Sequence, residues 1–282
     1  MEAMMPSVRL ARQMRRKVYR WLLKTRAWKY RTFLWYLRIF KYVSFSPTRG
    51  AFLESYYTLM RFIDDIVDGD APLPAKYKSV EDYIIEKIAF SKSLENPVDE
   101  VDYLMLYCFE LGKKFNQDFV SETDDILSSL LFDAKRRGKY LIFPEKELMW
   151  HFHILDVRGT IKATLKLFNE ASAKYELLSP LGIATRIHYD LQDFETDFEA
   201  GYINITQEDC NRFGIDLDII KDPSHPAIKK WFVHQANKGM QLIEEHHKNL
   251  KKAHFSLLTR CTLPVVYEWP ARKYFKKTLL IT

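Results

Sequence analysis

The sequence predicts an all-α fold, a single bundle of helices, and three observations carry that prediction. Apolar residues recur at spacings of three and four over Val101–Phe119, Ile126–Arg137, Glu145–Ala173 and Ala227–Leu258, the period of a helix with one face in a core. Prolines at 47, 72, 74, 97, 144, 180, 223, 226 and 264 fall between such stretches, where helices start or stop. Alternating strand patterns with Asn-Gly or Asp-Gly hairpin turns are scarce. With 282 residues, 47% of them apolar, the chain has ample material for a core.

Taken in order, residues 1–46 form a basic, aromatic arm with a first helix, continuous with a helical domain over 47–282. Gly69-Asp-Ala-Pro-Leu-Pro74 and Lys221-Asp-Pro-Ser-His-Pro226 are loops, and Ser121-Glu-Thr-Asp124 reads as a capping box that opens a helix. The length allows two domains, but no polar linker divides the chain.

Composition excludes several classes. The nine glycines never fall closer than a dozen residues apart, so neither a GxGxxG fingerprint nor a phosphate-binding P-loop can be assembled. Cys108, Cys210 and Cys261 are odd in number and lack metal-ligand spacing, which points to a reducing, cytoplasmic setting. No apolar run of about 18 residues exists to span a bilayer, and the basic N-terminus lacks the apolar segment of a secretory signal.

Charge is unevenly spread. Thirteen Lys and Arg residues and no acid lie between Ala3 and Leu53; the whole chain is +6, so the rest carries −7. Tyr19, Trp21, Trp28, Tyr30, Phe33, Trp35, Tyr36, Phe40 and Tyr42 are interleaved with those bases. Such an arm suits peripheral contact with an anionic membrane. It would also suit nucleic-acid phosphates, but a nucleic-acid partner leaves the acids described next unexplained and is not expected. The plainer alternative makes the aromatics core and the charges a solvated helix face.

Two segments carry carboxylates in a stripe. At 100° per residue, Tyr57, Arg61, Asp64 and Asp68 share one narrow face of Ala51–Asp68. Arg186, Asp190, Asp193 and Asp197 repeat the same offsets in Leu181–Asp197, beside Ile183, Ile187, Leu191 and Phe194. Aspartates at the border of a core are costly to desolvate unless paired or bound to metal. Two such stripes in one domain call for something positive. Mg²⁺, which takes carboxylate, water and phosphate oxygens, fits that need, with the arginines placed for diphosphate oxygens. The plain alternative is local pairing of these acids with Arg61 and Arg186.

Arg61-Phe-Ile-Asp64-Asp-Ile-Val-Asp68-Gly resembles the first aspartate-rich motif of the squalene/phytoene synthases. Leu181 to Asp197 is similar to their second. Asp133…Lys139-Tyr140, Val157-Arg-Gly159-Thr-Ile and Leu263-Pro264…Arg272-Lys-Tyr274 resemble further family segments, so the likeness runs from about Pro47 to the C-terminus. The resemblance implies a class I isoprenoid synthase fold, one helical bundle around a deep apolar cavity. It implies head-to-head joining of two allylic prenyl diphosphates through a cyclopropylcarbinyl diphosphate. It also implies Mg²⁺ on Asp64, Asp68, Asp193 and Asp197, and it admits NADPH, which the family binds without a dinucleotide fingerprint. Tyr57 and Arg61 match positions that line the first diphosphate site.

Several residues depart from that pattern. Tyr189 stands where the family carries Asn, Arg186 where it carries Gln, Gln192 where it carries Arg, and Thr196 where it carries Glu. Asp190, on the same stripe, is the substitute ligand for the missing Asn. His153 takes the place of a tyrosine with a proton-transfer or cation-stabilising role, and Lys162 that of a small glycine. The Ser-Phe signature of the first helix is not recognisable in Phe33–Tyr42.

Other residues have plain readings. Asp124-Asp125 suits a helix start, His246-His247 a solvated face, and His151 and His153 are about 200° apart on a helix, too far round to share a metal. Three functions stay open: head-to-head synthesis, a class I terpene synthase or head-to-tail prenyltransferase, and a non-catalytic, membrane-associated relative.

Overall fold

Ser46 and Pro47 open the helix Pro47–Val67: Ser46 Oγ accepts from Arg49 N at 3.3 Å, and Pro47 occupies a position that needs no donor. The structure, a computed structural model, describes residues 4–25, 37, 39–40, 42 and 46–281. Trp28, Tyr30, Phe33, Trp35 and Tyr36 of the arm lie outside the described residues, as do the side chains of Tyr19 and Trp21. All long elements are helical, and the sole β-pairing among the described residues is an isolated bridge between Leu141 and Tyr202. Packing divides the chain into two compact units, Met1–Leu131 and Phe132–Thr282, with the boundary inside the helix Val120–Arg136.

In the first unit, Met4–Thr25 and Pro47–Val67 both pack on Glu100–Lys113. Ala11, Met14 and Val18, spaced three and four apart, are buried, while Arg9, Arg12, Arg16 and Arg20 are exposed. Arg15 pairs with Glu54 at 3.2 Å and Lys17 with Glu100 at 3.1 Å. Ala11, Met14 and Val18 of this helix are therefore spent on the core. Phe52, Tyr56 and Phe119 stack beside it, with Phe52 and Phe119 ring centres 4.1 Å apart. Helix Val120–Arg136 starts one residue before Ser121, so the expected capping box is displaced: Asp118 Oδ1 accepts from Val120 N at 2.9 Å, and Asp125 is buried.

In the second unit, Pro226–Lys252 packs against both Ser179–Gln192 and Trp269–Ile281. Ala184, Ile187, Leu191, Trp231, Ile243 and Phe275 form its core. The stretch expected as one helix over Glu145–Ala173 is Glu145–Phe152, a π-helical turn His153–Ile161, and Lys162–Leu167. A second π-helical turn is Pro264–Glu268. The helix expected to reach Leu258 stops at Lys252, because Ala253 turns to extended backbone.

His246 corrects the sequence reading. Rather than facing solvent it is fully buried with both ring nitrogens unpartnered, while His247 Nε2 meets Glu268 at 2.7 Å. Burial, and secondarily His247, pushes the His246 imidazole down to about 4. An imidazole that binds its proton less readily when folded contributes stability in full above its unfolded value near 6.5, and loses it as pH falls toward 4. Wild-type protein is thus expected to lose about 2 kcal/mol through this group between pH 7 and pH 5. His246→Leu should lack that component, so urea denaturation should show the variant's stability relative to wild type rising by about 2 kcal/mol from pH 7 to pH 5. An equal gap at both pH values would contradict the assignment.

Candidate active site

The first aspartate stripe lies on the half-buried side of Pro47–Val67. Tyr57, Met60, Arg61, Asp64 and Asp68 are all partly exposed there, while Tyr56 and Asp65 point inward. Asp68 closes the helix, its N–H donating to Asp64 O at 2.8 Å. Arg61 binds locally: Nη1 lies 2.5 Å from Asp64 Oδ2 and Nη2 2.6 Å from Asp65 Oδ1. Asp65, only 2% exposed, therefore anchors the arginine that the stripe presents.

The second stripe is not one helix. Ser179–Gln192 ends at Asp193, whose backbone (φ −100°, ψ 14°) breaks the helix before Phe194–Glu199. Hydrogen bonds from Asp193 N to Tyr189 O and from Asp197 N to Asp193 O, both 2.8 Å, carry the helical pattern across the break. Close packing sets the start of this element. A β-carbon on Gly182 would lie 2.9 Å from Val157 Cγ2 and 3.2 Å from Asp156 O. That approach to the π-helical turn brings Arg186, one helical turn on, to Asp156: Nε to Oδ2 is 2.8 Å. Arg186 Nη1 is also 3.6 Å from Asp190 Oδ1, and its guanidinium lies over Phe152. Burial opposes the charge of Arg186, but Asp156 and Asp190 more than offset it.

A turn not singled out in the sequence completes the cluster. Gly201 (φ 82°) crosses Gly138 (φ 71°) so closely that a β-carbon on Gly201 would lie 2.4 Å from Gly138 Cα. Only glycine combines that backbone angle with that contact. The crossing delivers Asn204 to Arg136, whose Nη1 donates to Asn204 Oδ1 at 2.9 Å. Asn204 Nδ2 in turn donates to Asp190 Oδ1 at 3.2 Å and to Asp197 Oδ2 at 2.9 Å. Arg136 is buried, with Nε 2.7 Å from Asp133 Oδ1, and His151 Nε2 lies 3.3 Å from the same oxygen.

These contacts divide the acids by electrostatics. Burial works against Asp133, yet His151 and Arg136 hold its carboxyl well below the usual range. Asp190 is 6% exposed; burial, with Asp197 and Asp156, drives its carboxyl well above the usual range despite Arg186. Asp197 is pushed up to about 7, by burial first and by Asp193 next. Negative charge thus exceeds what Arg186 and Arg136 neutralise, and oxygen donors with unmet charge fit a hard divalent cation such as Mg²⁺. The contrast is Glu86, Asp99 and Asp102, whose oxygens converge within 4.8 Å. There the Lys87 ammonium sits 2.6 Å from both Asp99 and Asp102, so the positive charge is already supplied.

The remaining expected residues lie in the second unit and make other contacts as well. His153 Nε2 is 3.6 Å from Glu176, and Lys162 Nζ is 5.8 Å from the Tyr175 ring centre. Both thus reach the 3₁₀ turn Ser172–Leu178. Tyr189 is 39% exposed and leans on His188. Asp156, Arg136 and Asn204 escaped sequence reasoning; Asp133–Arg136, an acid and a base three apart on a helix, was the one readable signal.

The comparisons with known proteins bear on the fold. A crystal structure of squalene synthase HpnC from Alicyclobacillus acidocaldarius superposes with a TM-score of 0.64 at 15% identity, over 99% of this chain and 95% of that one. The fold is that of a squalene synthase. A dehydrosqualene synthase crystallised with ligand matches with a TM-score of 0.56 at 18% identity, over 90% and 84% of the two chains. No family model matches the sequence, and no curated protein matches it either. The all-α fold implied by the motif resemblance is therefore the one observed, and the likeness is one of fold.

The stripe geometry predicts unequal roles for neighbouring acids. Asp65→Ala removes the buried one of the two carboxylates that hold Arg61, leaving Asp64, and should cost about 1.5–3 kcal/mol. Asp68→Ala, at the half-exposed helix end, should stay within about 1 kcal/mol. Denaturation of the two variants without divalent cation measures the difference; comparable losses would contradict the assignment.

Proposed function

We propose that the chain is a Mg²⁺-dependent prenyl diphosphate transferase. It condenses two allylic prenyl diphosphates, farnesyl or geranylgeranyl, head to head into a squalene-, dehydrosqualene- or phytoene-type hydrocarbon. The observation that carries this reading is the gathering of Asp190 and Asp197 around one amide, beside Asp193, on a fold shared almost end to end with a squalene synthase.

In this reading Asp64, Asp68, Asp193 and Asp197, with Asp190 in place of an asparagine, hold the metal. Bound Mg²⁺ would neutralise the leaving diphosphate and promote its departure. Arg61 and Arg186 exchange a carboxylate partner for phosphate oxygens, a trade between two bidentate-capable anions that costs little. Tyr57, Tyr189 and Lys162 contribute to substrate binding. His153 serves as the proton-transfer or cation-stabilising group. Apolar walls exclude water from the electron-poor carbon after the diphosphate leaves. NADPH is the reductant if the product is squalene.

The arm supplies a peripheral membrane contact in this proposal. Because Ala11, Met14 and Val18 are committed to the core, that contact is made by Arg12, Arg16 and Arg20, and it weakens as salt rises.

One observation favours a second reading. Arg61 and Arg186 already neutralise acids of each stripe, as they would in a non-catalytic relative. Incubation with farnesyl and geranylgeranyl diphosphate, with and without NADPH, followed by product mass analysis, separates the readings. A hydrocarbon of twice the substrate's carbon number is expected. Asp68→Asn and Asp193→Asn should each lower turnover a hundredfold or more, about 2.7 kcal/mol. A cyclised or head-to-tail product would instead indicate a terpene synthase or chain elongation, and turnover of neither substrate would indicate the non-catalytic relative.

A further inference from the structure

We propose that Asn204 is a positioning residue whose side-chain amide, oriented by Arg136, holds Asp190 and Asp197 as one ligand pair across the helix break at Asp193. This rests on the metal-binding reading above and adds to it a residue that neither the motifs nor the resemblance supplies.

The argument begins with the break. Seven residues separate Asp190 from Asp197, and the chain between them leaves helical geometry at Asp193. Backbone hydrogen bonds span the break, but they leave the side-chain torsions of the two aspartates free, so the backbone alone does not fix the distance between the carboxylates. Asn204 Nδ2 fixes it, with bonds of 3.2 and 2.9 Å to one oxygen of each. A primary amide has two N–H donors, one for each acid. It carries no charge, so it joins two anions without neutralising them or competing with a cation for their charge.

The amide has one usable orientation. Its Oδ1 accepts from Arg136 Nη1 at 2.9 Å; rotated by half a turn, it would set oxygen against two carboxylates and N–H against a guanidinium. Arg136 cannot follow such a rotation. It is held by Asp133 Oδ1 at 2.7 Å and by Ile203 O at 3.3 Å, and it is sandwiched over Tyr202 and Phe132. The Gly138–Gly201 crossing fixes both ends of this chain of contacts. One oxygen of each aspartate is engaged by Asn204, and the other oxygen of each is the one assigned to the cation. Preorganisation of this kind spares the ligand set an ordering cost when the cation binds.

The test uses the full-length protein, stripped of divalent ions and titrated with Mn²⁺ by electron paramagnetic resonance, with circular dichroism to verify folding. Asn204→Ala should raise the Mn²⁺ Kd tenfold or more. Under turnover, the Mg²⁺ concentration for half-maximal rate should rise in parallel while kcat at saturating Mg²⁺ stays within threefold. Asn204→Ser, which keeps a short donor, should fall between alanine and wild type. Unchanged Mn²⁺ affinity in Asn204→Ala would overturn the proposal, as would a kcat lost equally at every Mg²⁺ concentration. If wild type itself binds no Mn²⁺, the metal reading fails, and thermal melting of Asn204→Ala, Asp197→Asn and the double variant judges the clamp alone. A double loss smaller than the sum of the single losses supports it, and strict additivity overturns it.

Discussion

Everything at the candidate site depends on keeping aspartates in a place that disfavours their charge. Removing a carboxylate from water costs several kcal/mol unless positive charge or donors replace the solvent. Asp133 meets that condition through Arg136 and His151, and Asp156 meets it through Arg186. Asp197 meets it only in part, through the Asn204 amide, and its carboxyl rises toward neutrality. The fold therefore builds a gradient from satisfied to unsatisfied acids within a few residues. A structural ion-pair network has no need of the unsatisfied end, whereas a cation site does. The Glu86–Asp99–Asp102 cluster makes the same point from the other side, since a buried lysine completes it.

The helical class and the two aspartate segments were legible because their signals are local. Three-four spacing and the identity of side chains on one stripe survive without knowledge of tertiary contacts. The errors have tertiary causes. A wheel over Leu181–Asp197 takes it as one helix, but the backbone breaks at Asp193. Asn204 and Arg136 are 68 residues apart and meet only because Gly201 and Gly138 touch, which no spacing rule announces. His246 was read as solvated from its charged neighbours, yet it faces inward on a helix whose opposite side carries the charge.

The arm teaches a related lesson about amphipathic helices. A basic segment rich in apolar residues reads equally as a membrane anchor or as a core helix with a solvated face, because both need the same periodicity. Burial places Ala11, Met14 and Val18 of Met4–Thr25 in the protein interior. Its arginines then act as long-range charge rather than as the rim of an inserted helix. Any attraction to anionic lipid is then electrostatic and reversible.

The measurement that tests the central claim most directly is anomalous diffraction from crystals grown with Mn²⁺ and a non-ionising farnesyl thiodiphosphate. The account predicts anomalous peaks about 2 Å from carboxylate oxygens of Asp193 and Asp197, and from diphosphate oxygens. It also predicts that Arg186 turns from Asp190 toward the diphosphate. A diphosphate bound by arginines alone, with no anomalous peak near either aspartate, would contradict it.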